Sequence, residues 1–273
     1  MTKLEPFMGH YYLWYYVPSL VPAIIGTVIF SILTALHMWR LLRARTWFCI
    51  PFTIGGCFEV CGYAGTCASH SNTASMAAYA VAGDGTLLAP ALFAASIYMT
   101  LGRIMSSVKG EKYSVIPIQW LTKLFVLGDI LSFVVQGSSL GLTITGHDSW
   151  GTVVVELGLV IQVASFGVFL ITAVVFHWRL LKSSSCPSLE NETWQDNAWL
   201  AHLKVLYCIS GLIMLRSIFR VILYAGGRKG YTLTHEWLMY VFDFLPMAIV
   251  MVVFFFGYPN ELIAKDTHEL QET

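Results

Sequence analysis

Residues 215–246 read LRSIFRVILYAGGRKGYTLTHEWLMYVFDFLP, two apolar runs joined by a short basic and polar turn. Arg216 and Arg220 lie in the first run, and Glu236 and Asp243 lie in or at the rim of the second. A charged side chain at the centre of a bilayer costs about 2.5–3.5 kcal/mol on insertion scales, so such residues face a bundle interior or a watery cavity. Helical spacing fits that placement. Arg216 and Arg220 are four apart and share a face, and Glu236, Tyr240 and Asp243 line one face of the next helix. Two facing helices, one basic and one acidic, form a polar seam.

Composition makes lipid the solvent. Of 273 residues, 56% are hydrophobic and only 12% charged, with a mean hydropathy of +0.67; soluble domains carry about 25% charged residues. Formal net charge is zero, which leaves no field to attract nucleic acid. The six cysteines follow neither a metal-ligand spacing nor a disulfide framework and read as buried or free thiols. The first apolar run is too long for a secretory signal and reads as a membrane span.

Seven runs reach the ~20 residues that a helix needs to cross the hydrocarbon core. They are roughly Tyr15 to Leu36, Trp47 to Thr66, Gly85 to Ile104, Gln119 to Leu140, Thr152 to Phe176, Leu203 to Tyr224 and Leu233 to Phe256. The expected fold is all-α: a polytopic membrane protein whose seven transmembrane helices form one bundle over residues 15–257. Residues 1–14 form a short outer segment and 258–273 a cytosolic tail. Lys and Arg set the orientation. Arg40, Arg43 and Arg45 lie in the first connection; Arg103, Lys109 and Lys112 in the third; Arg179, Lys182 and Lys204 in the fifth. Arg228 and Lys229 in the sixth dissent. The majority places the N-terminus outside and the C-terminus inside. The sequon Asn191-Glu192-Thr193 then lies in the cytosol with Ser183-Ser184-Ser185, on the one long polar connection, and stays unglycosylated.

With that orientation, Glu59, Gln136, Arg216 and Arg220 fall in the outer half of their spans. Asp84, Glu156 and Glu236 lie near the outer surface, Asp243 lies roughly 10 Å below Glu236, and Asp129 and Gln162 lie near mid-depth. Intramembrane polar groups therefore gather toward one leaflet, as a cavity open to that side requires. Helix-to-helix pairing without a ligand is the competing reading. Glu59 sits among Gly55, Gly56 and Gly62, which let a backbone or ligand come close.

The chain resembles the fungal RTA-like (resistance to aminocholesterol) family of lipid-translocating exporters. The likeness rests on Phe58-Glu59 and Gly62-Tyr63 in span two, and on Leu88-Ala89-Pro90, Tyr98 and Leu101-Gly102-Arg103 in span three. Span four offers Phe125-Val126, Gly128-Asp129, Ser132-Phe133 and Gln136-Gly137, and span five Gly158-Leu159 with Gln162. Spans six and seven offer Arg216-Ser217-Ile218-Phe219-Arg220 and His235-Glu236 with Tyr240, Phe242 and Asp243. The chain departs from the family pattern twice. Gly65-Thr66-Cys67 stands where an arginine is usual, and Leu223 where an acid is usual, as if a pair had been removed together. The resemblance implies seven helices, a plasma-membrane or vacuolar location, and drug resistance or export toward sphingoid bases, sterol-like amines and other amphiphiles.

The expected function is thus translocation or export of a lipid or amphiphile, without catalysis and without a cofactor or metal. The expected partners are membrane lipids or amphiphilic small molecules. The substrate-binding candidates are Glu59, Asp129, Gln136, Gln162, Arg216, Arg220, Glu236, Tyr240 and Asp243. Carboxylates would receive a cationic head, and the arginines would keep them ionised or bind an anionic head. With no nucleotide-binding motif, transport would be facilitated or proton-coupled, with Asp129 as the candidate coupling group. On this reading Glu59→Gln or Asp243→Asn abolishes amphiphile tolerance with surface expression kept. A seven-helix receptor or sensor for a lipid-like ligand shares the topology, although span seven has no Lys for a retinal Schiff base. An intramembrane lipid hydrolase would need several His ligands around one metal. His70, His147 and His235 lie in or near outer loops, and no helix carries an H-x-x-x-H pair.

Overall fold

The computed structural model describes residues 13–14, 16–108, 110, 114, 116–144, 148–182, 196–226 and 235–258. The sequon, the three serines, the basic pair of the sixth connection and the tail lie outside these residues. Seven helices are long and apolar enough to cross a membrane. They are α1 Leu20–Ala44, α2 Ile50–Ser71, α3 Met76–Ser107, α4 Ile118–Ile144, α5 Asp148–Lys182, α6 Asp196–Ala225 and α7 Glu236–Phe256. Each helix packs on the next in sequence, α7 returns to α1, and α3 crosses to α6. The apolar faces of α1, α4 and α5 carry Val21, Ile25, Leu127, Ile130, Leu157 and Ile171 outward, as lipid contact requires.

Most helices overrun the apolar stretches, whereas α1, α2 and α7 begin inside theirs, and the reasons are local. α1 starts at Leu20 rather than Tyr15 because the preceding segment is held extended: Ser19 donates to Glu236, and His70 Nδ1 to the Pro18 carbonyl at 2.7 Å. It continues past Leu36 because Arg40 has somewhere to go. Its guanidinium donates to the Phe255 carbonyl and lies 4.9 and 4.8 Å from the rings of Phe255 and Tyr258. Ser75 caps α3 by accepting from Ala78 N–H at 3.4 Å, and Pro90 sits inside the helix without ending it. The seam between α2 and α3 is made by small residues. A Cβ on Gly62 would stand 2.7 Å from Thr86 Cγ2, and one on Gly85 would stand 2.9 Å from the Phe58 carbonyl oxygen.

α7 departs from a regular helix. After one α turn, Glu236–Met239, residues Tyr240–Phe244 form a π turn, and Leu245–Phe256 resumes the α-helix. Leu245 N–H bonds to the Tyr240 carbonyl, five residues back. Pro246 supplies the reason, since it has no N–H and its ring collides with the carbonyl four residues earlier. The cysteines at 49, 57, 61, 67 and 208 are free.

Candidate functional site

The polar seam closes at the end of the bundle that carries the segment before α1. Asp243, inside the π turn of α7, is its hub. It accepts from Arg220 Nε at 3.1 Å and Nη2 at 2.5 Å, and Arg216 Nε lies 2.6 Å from its Oδ1. Thr86 of α3 completes the arrangement: its hydroxyl accepts from Arg220 Nη2 at 3.1 Å and its carbonyl from Arg216 Nη2. Arg216, Arg220 and Asp243 are each 3–4% exposed, so these bonds act out of bulk water, where charge-assisted contacts are strong and a missing partner is costly. Glu59 of α2, 1% exposed, stands behind the triad, and its Oε1 has no hydrogen-bond partner among the described residues.

In front of the triad lies a cavity of about 130 Å³. Arg220, Asp243, Glu236, Tyr240 and Thr86 line it, together with Tyr63, Tyr79, Tyr224, Trp14 and Tyr16. Trp14 meets Tyr79 edge-on with centroids 5.4 Å apart, and Tyr63 lies 6.5 Å from Tyr240. Glu236 receives the Tyr240 hydroxyl at 3.2 Å. Burial first, and the Glu236 carboxylate next, push the Tyr16 phenol above its ordinary range, so it stays a hydroxyl. The wall thus combines aromatic faces, one arginine and two carboxylates, a surface that suits a polar head joined to an apolar body.

Of the nine residues expected at the site, six are brought together: Glu59, Arg216, Arg220, Glu236, Tyr240 and Asp243. The other three stand apart, on α4 and α5. Asp129 accepts from the Tyr98 hydroxyl at 3.0 Å, beside the rings of Phe125, Phe166 and Phe169, and Gln136 donates to Gln162 at 3.5 Å. Tyr98 lies twelve residues beyond Thr86 on α3, or roughly 18 Å along the helix. Sequence reasoning missed Thr86 and the aromatic wall. Thr86 carries no periodic signal, and Trp14 and Tyr16 reach the cavity only through the fold of the segment before α1. The two departures, Thr66 and Leu223, line this same cavity. Among the described residues, no group of three or more His, Cys, Asp or Glu side chains could hold a metal ion.

Residues 52–266 match the family model described as RTA1 like protein. The chain is 35% identical to Protein RTM1 of Saccharomyces cerevisiae over 212 residues, 76% of this chain and 66% of that protein. It is 34% identical to Protoporphyrin uptake protein 1 of the same species over 221 residues, 79% of this chain and 71% of that protein. It is 30% identical to Sphingoid long-chain base transporter RSB1, also of S. cerevisiae, over 277 residues, 89% of this chain and 72% of that protein. The aligned part thus spans about two thirds of the length of the first of these relatives. No solved structure matches.

Proposed function

Because the chain belongs to the RTA1-like family, we propose that this integral membrane protein moves amphiphilic small molecules, with the head group seated in the cavity at the N-terminal end of the bundle. The observation that carries the reading is the union, in one hollow, of aromatic faces with the Arg220–Asp243 pair and Glu236. Both arginines are engaged by Asp243, so an amine head in the cavity meets the Glu236 carboxylate and several aromatic faces. Two relatives are named for a sphingoid base and for protoporphyrin, both amphiphiles. In this reading the N-terminal end faces outward, the membrane is the plasma membrane or an endomembrane such as the vacuole, and the chain catalyses no bond cleavage.

Asp129, with Gln136 and Gln162, is proposed as a second polar station farther along the bundle. The loss of a basic and an acidic residue at Thr66 and Leu223 alters the same wall and so tunes which heads are accepted. The test is movement of a labelled sphingoid base between leaflets of liposomes that contain only this protein. Transfer well above protein-free liposomes supports translocation. Binding with no transfer would instead favour the receptor reading, which an amphiphile-evoked signal in cells would then establish.

A further inference from the structure

Three buried polar atoms without a hydrogen-bond partner among the described residues fall along one groove: Glu59 Oε1 on α2, and Thr34 Oγ1 and His37 Nδ1 on α1. The residues are 1%, 8% and 1% exposed. The packing of α1 against α2 sets their order. Phe30 stacks on Tyr63 at 5.3 Å, a Cβ on Gly56 would meet Thr34 Oγ1 at 2.5 Å, and the rings of His37 and Phe52 lie 4.9 Å apart. The two helices run antiparallel, so Glu59, one turn beyond Gly56, sits one step nearer the cavity end than Thr34. His37 sits one step farther away. Each step is about 4.5 Å of helix rise.

α7 closes the groove. Met251 Cε would stand 3.0 Å from the same Cβ on Gly56, and the Met251 carbonyl bonds His37 Nε2 at 2.9 Å. A carbonyl only accepts, so Nε2 carries the hydrogen and Nδ1 keeps its lone pair. Leaving a buried polar group unsatisfied is costly, because it loses its hydrogen bonds to water and gains none in return. Native interiors meet such groups with ordered water that binds two to four polar partners. Three such groups at successive turns of a single groove define a file rather than one defect.

We infer that ordered water runs along the α1–α2–α7 groove from Glu59 past Thr34 to His37, and that this file is a proton path. A proton leaves the Glu59 carboxyl for the adjoining water, which passes one of its own toward the Thr34 hydroxyl. That oxygen accepts it and releases the hydrogen it held. His37 Nδ1 takes the last proton as an imidazolium. The ring then turns, breaking its Nε2 bond to the Met251 carbonyl, releases that proton from Nδ1 to water on the far side, and turns back to restore the bond. Only O–H and N–H bonds change, and one proton leaves for each that enters. At the cavity end, Glu59 faces Arg216, Arg220, Asp243 and Tyr63. At the other end, His37 faces Arg40 and the Tyr258 ring, next to the hydrogen-bonded Thr46 and Tyr258 hydroxyls. Arg216 and Arg220 both pair with Asp243, so a positive ammonium head arriving beside that cluster and a proton on Glu59 disfavour one another. The path exchanges one for the other. That exchange rests on the translocator reading, whereas the path itself does not.

The test traps a pH dye inside liposomes that hold the full chain and adds a sphingoid base outside, with protein-free liposomes as the reference. Luminal pH is expected to move with the amine. Thr34→Val and His37→Phe, both outside the cavity, should each cut the proton movement roughly tenfold while amine binding in nanodiscs stays within about twofold. Amine transfer with no pH change, or a pH change that survives both substitutions, overturns the path. If no amine crosses in the unmodified protein, the translocator reading fails, and a valinomycin potential is applied alone. Proton flux roughly tenfold above that of Thr34→Val then supports the path, and equal flux overturns it.

Discussion

Ser19 gives both its backbone N–H and its hydroxyl to the Glu236 carboxylate, at 2.9 and 2.6 Å. The pair fastens the segment bearing Leu13, Trp14 and Tyr16, which walls the cavity, to the first turn of α7. On the proposed function, a head group that draws on Glu236 would compete with the contact that holds this wall in place.

Glu236→Gln weakens that fastening, because a neutral amide is a poorer acceptor and a hydrogen bond to a charged group contributes about 1.5–3 kcal/mol. Amide hydrogen exchange at residues 16–20 should rise roughly tenfold and Trp14 emission should move to the red, with melting otherwise unchanged. Unaltered exchange would mean that the wall is held from elsewhere.

Asp243→Asn and Glu59→Gln, which looked equivalent in sequence, should now behave differently. Asp243 pairs with two buried arginines, and removing one partner of a buried pair costs about 3–5 kcal/mol. Asp243→Asn should therefore lower folded yield in fluorescence-detected gel filtration. Glu59→Gln should fold normally and lose amphiphile tolerance. Equal yields for both would contradict the triad geometry.

Thr66→Arg and Leu223→Glu should each reduce thermal stability, since each buries a charge in the cavity wall. The double variant should recover, with a coupling of about 0.5–3 kcal/mol in a melting-based double-mutant cycle. Additive losses would show that the two positions do not meet.

Asp129→Asn should leave sphingoid-base affinity in nanodiscs within about twofold, because the residue is separated from the cavity by roughly 18 Å of α3. It should instead slow transfer across the bilayer if the second station is used. A large loss of affinity would place Asp129 in the head-group site after all.

The spans were legible because lipid forbids unpaired backbone, so each crossing must be a long apolar helix. Arg216, Arg220 and Asp243 were legible for the complementary reason that charge in such a run needs company. Thr86 was not, since a helical threonine that supplies both its hydroxyl and its carbonyl looks like any other. Nor was the π turn, since Pro246 announces a break without saying which carbonyl will be displaced. Glu59 and Asp129 look alike in sequence. Only packing shows that Asp129 accepts a hydrogen bond from a tyrosine, whereas Glu59 Oε1 accepts none among the described residues.

α6 carries two arginines whose counter-charge, Asp243, belongs to the helix made after it. During synthesis α6 must therefore leave the translocon unneutralised or wait beside it until α7 emerges. Shortened chains that stop before α7 are expected to be retained and degraded by membrane quality control. α7 is thus expected to decide whether α1 to α6 are kept.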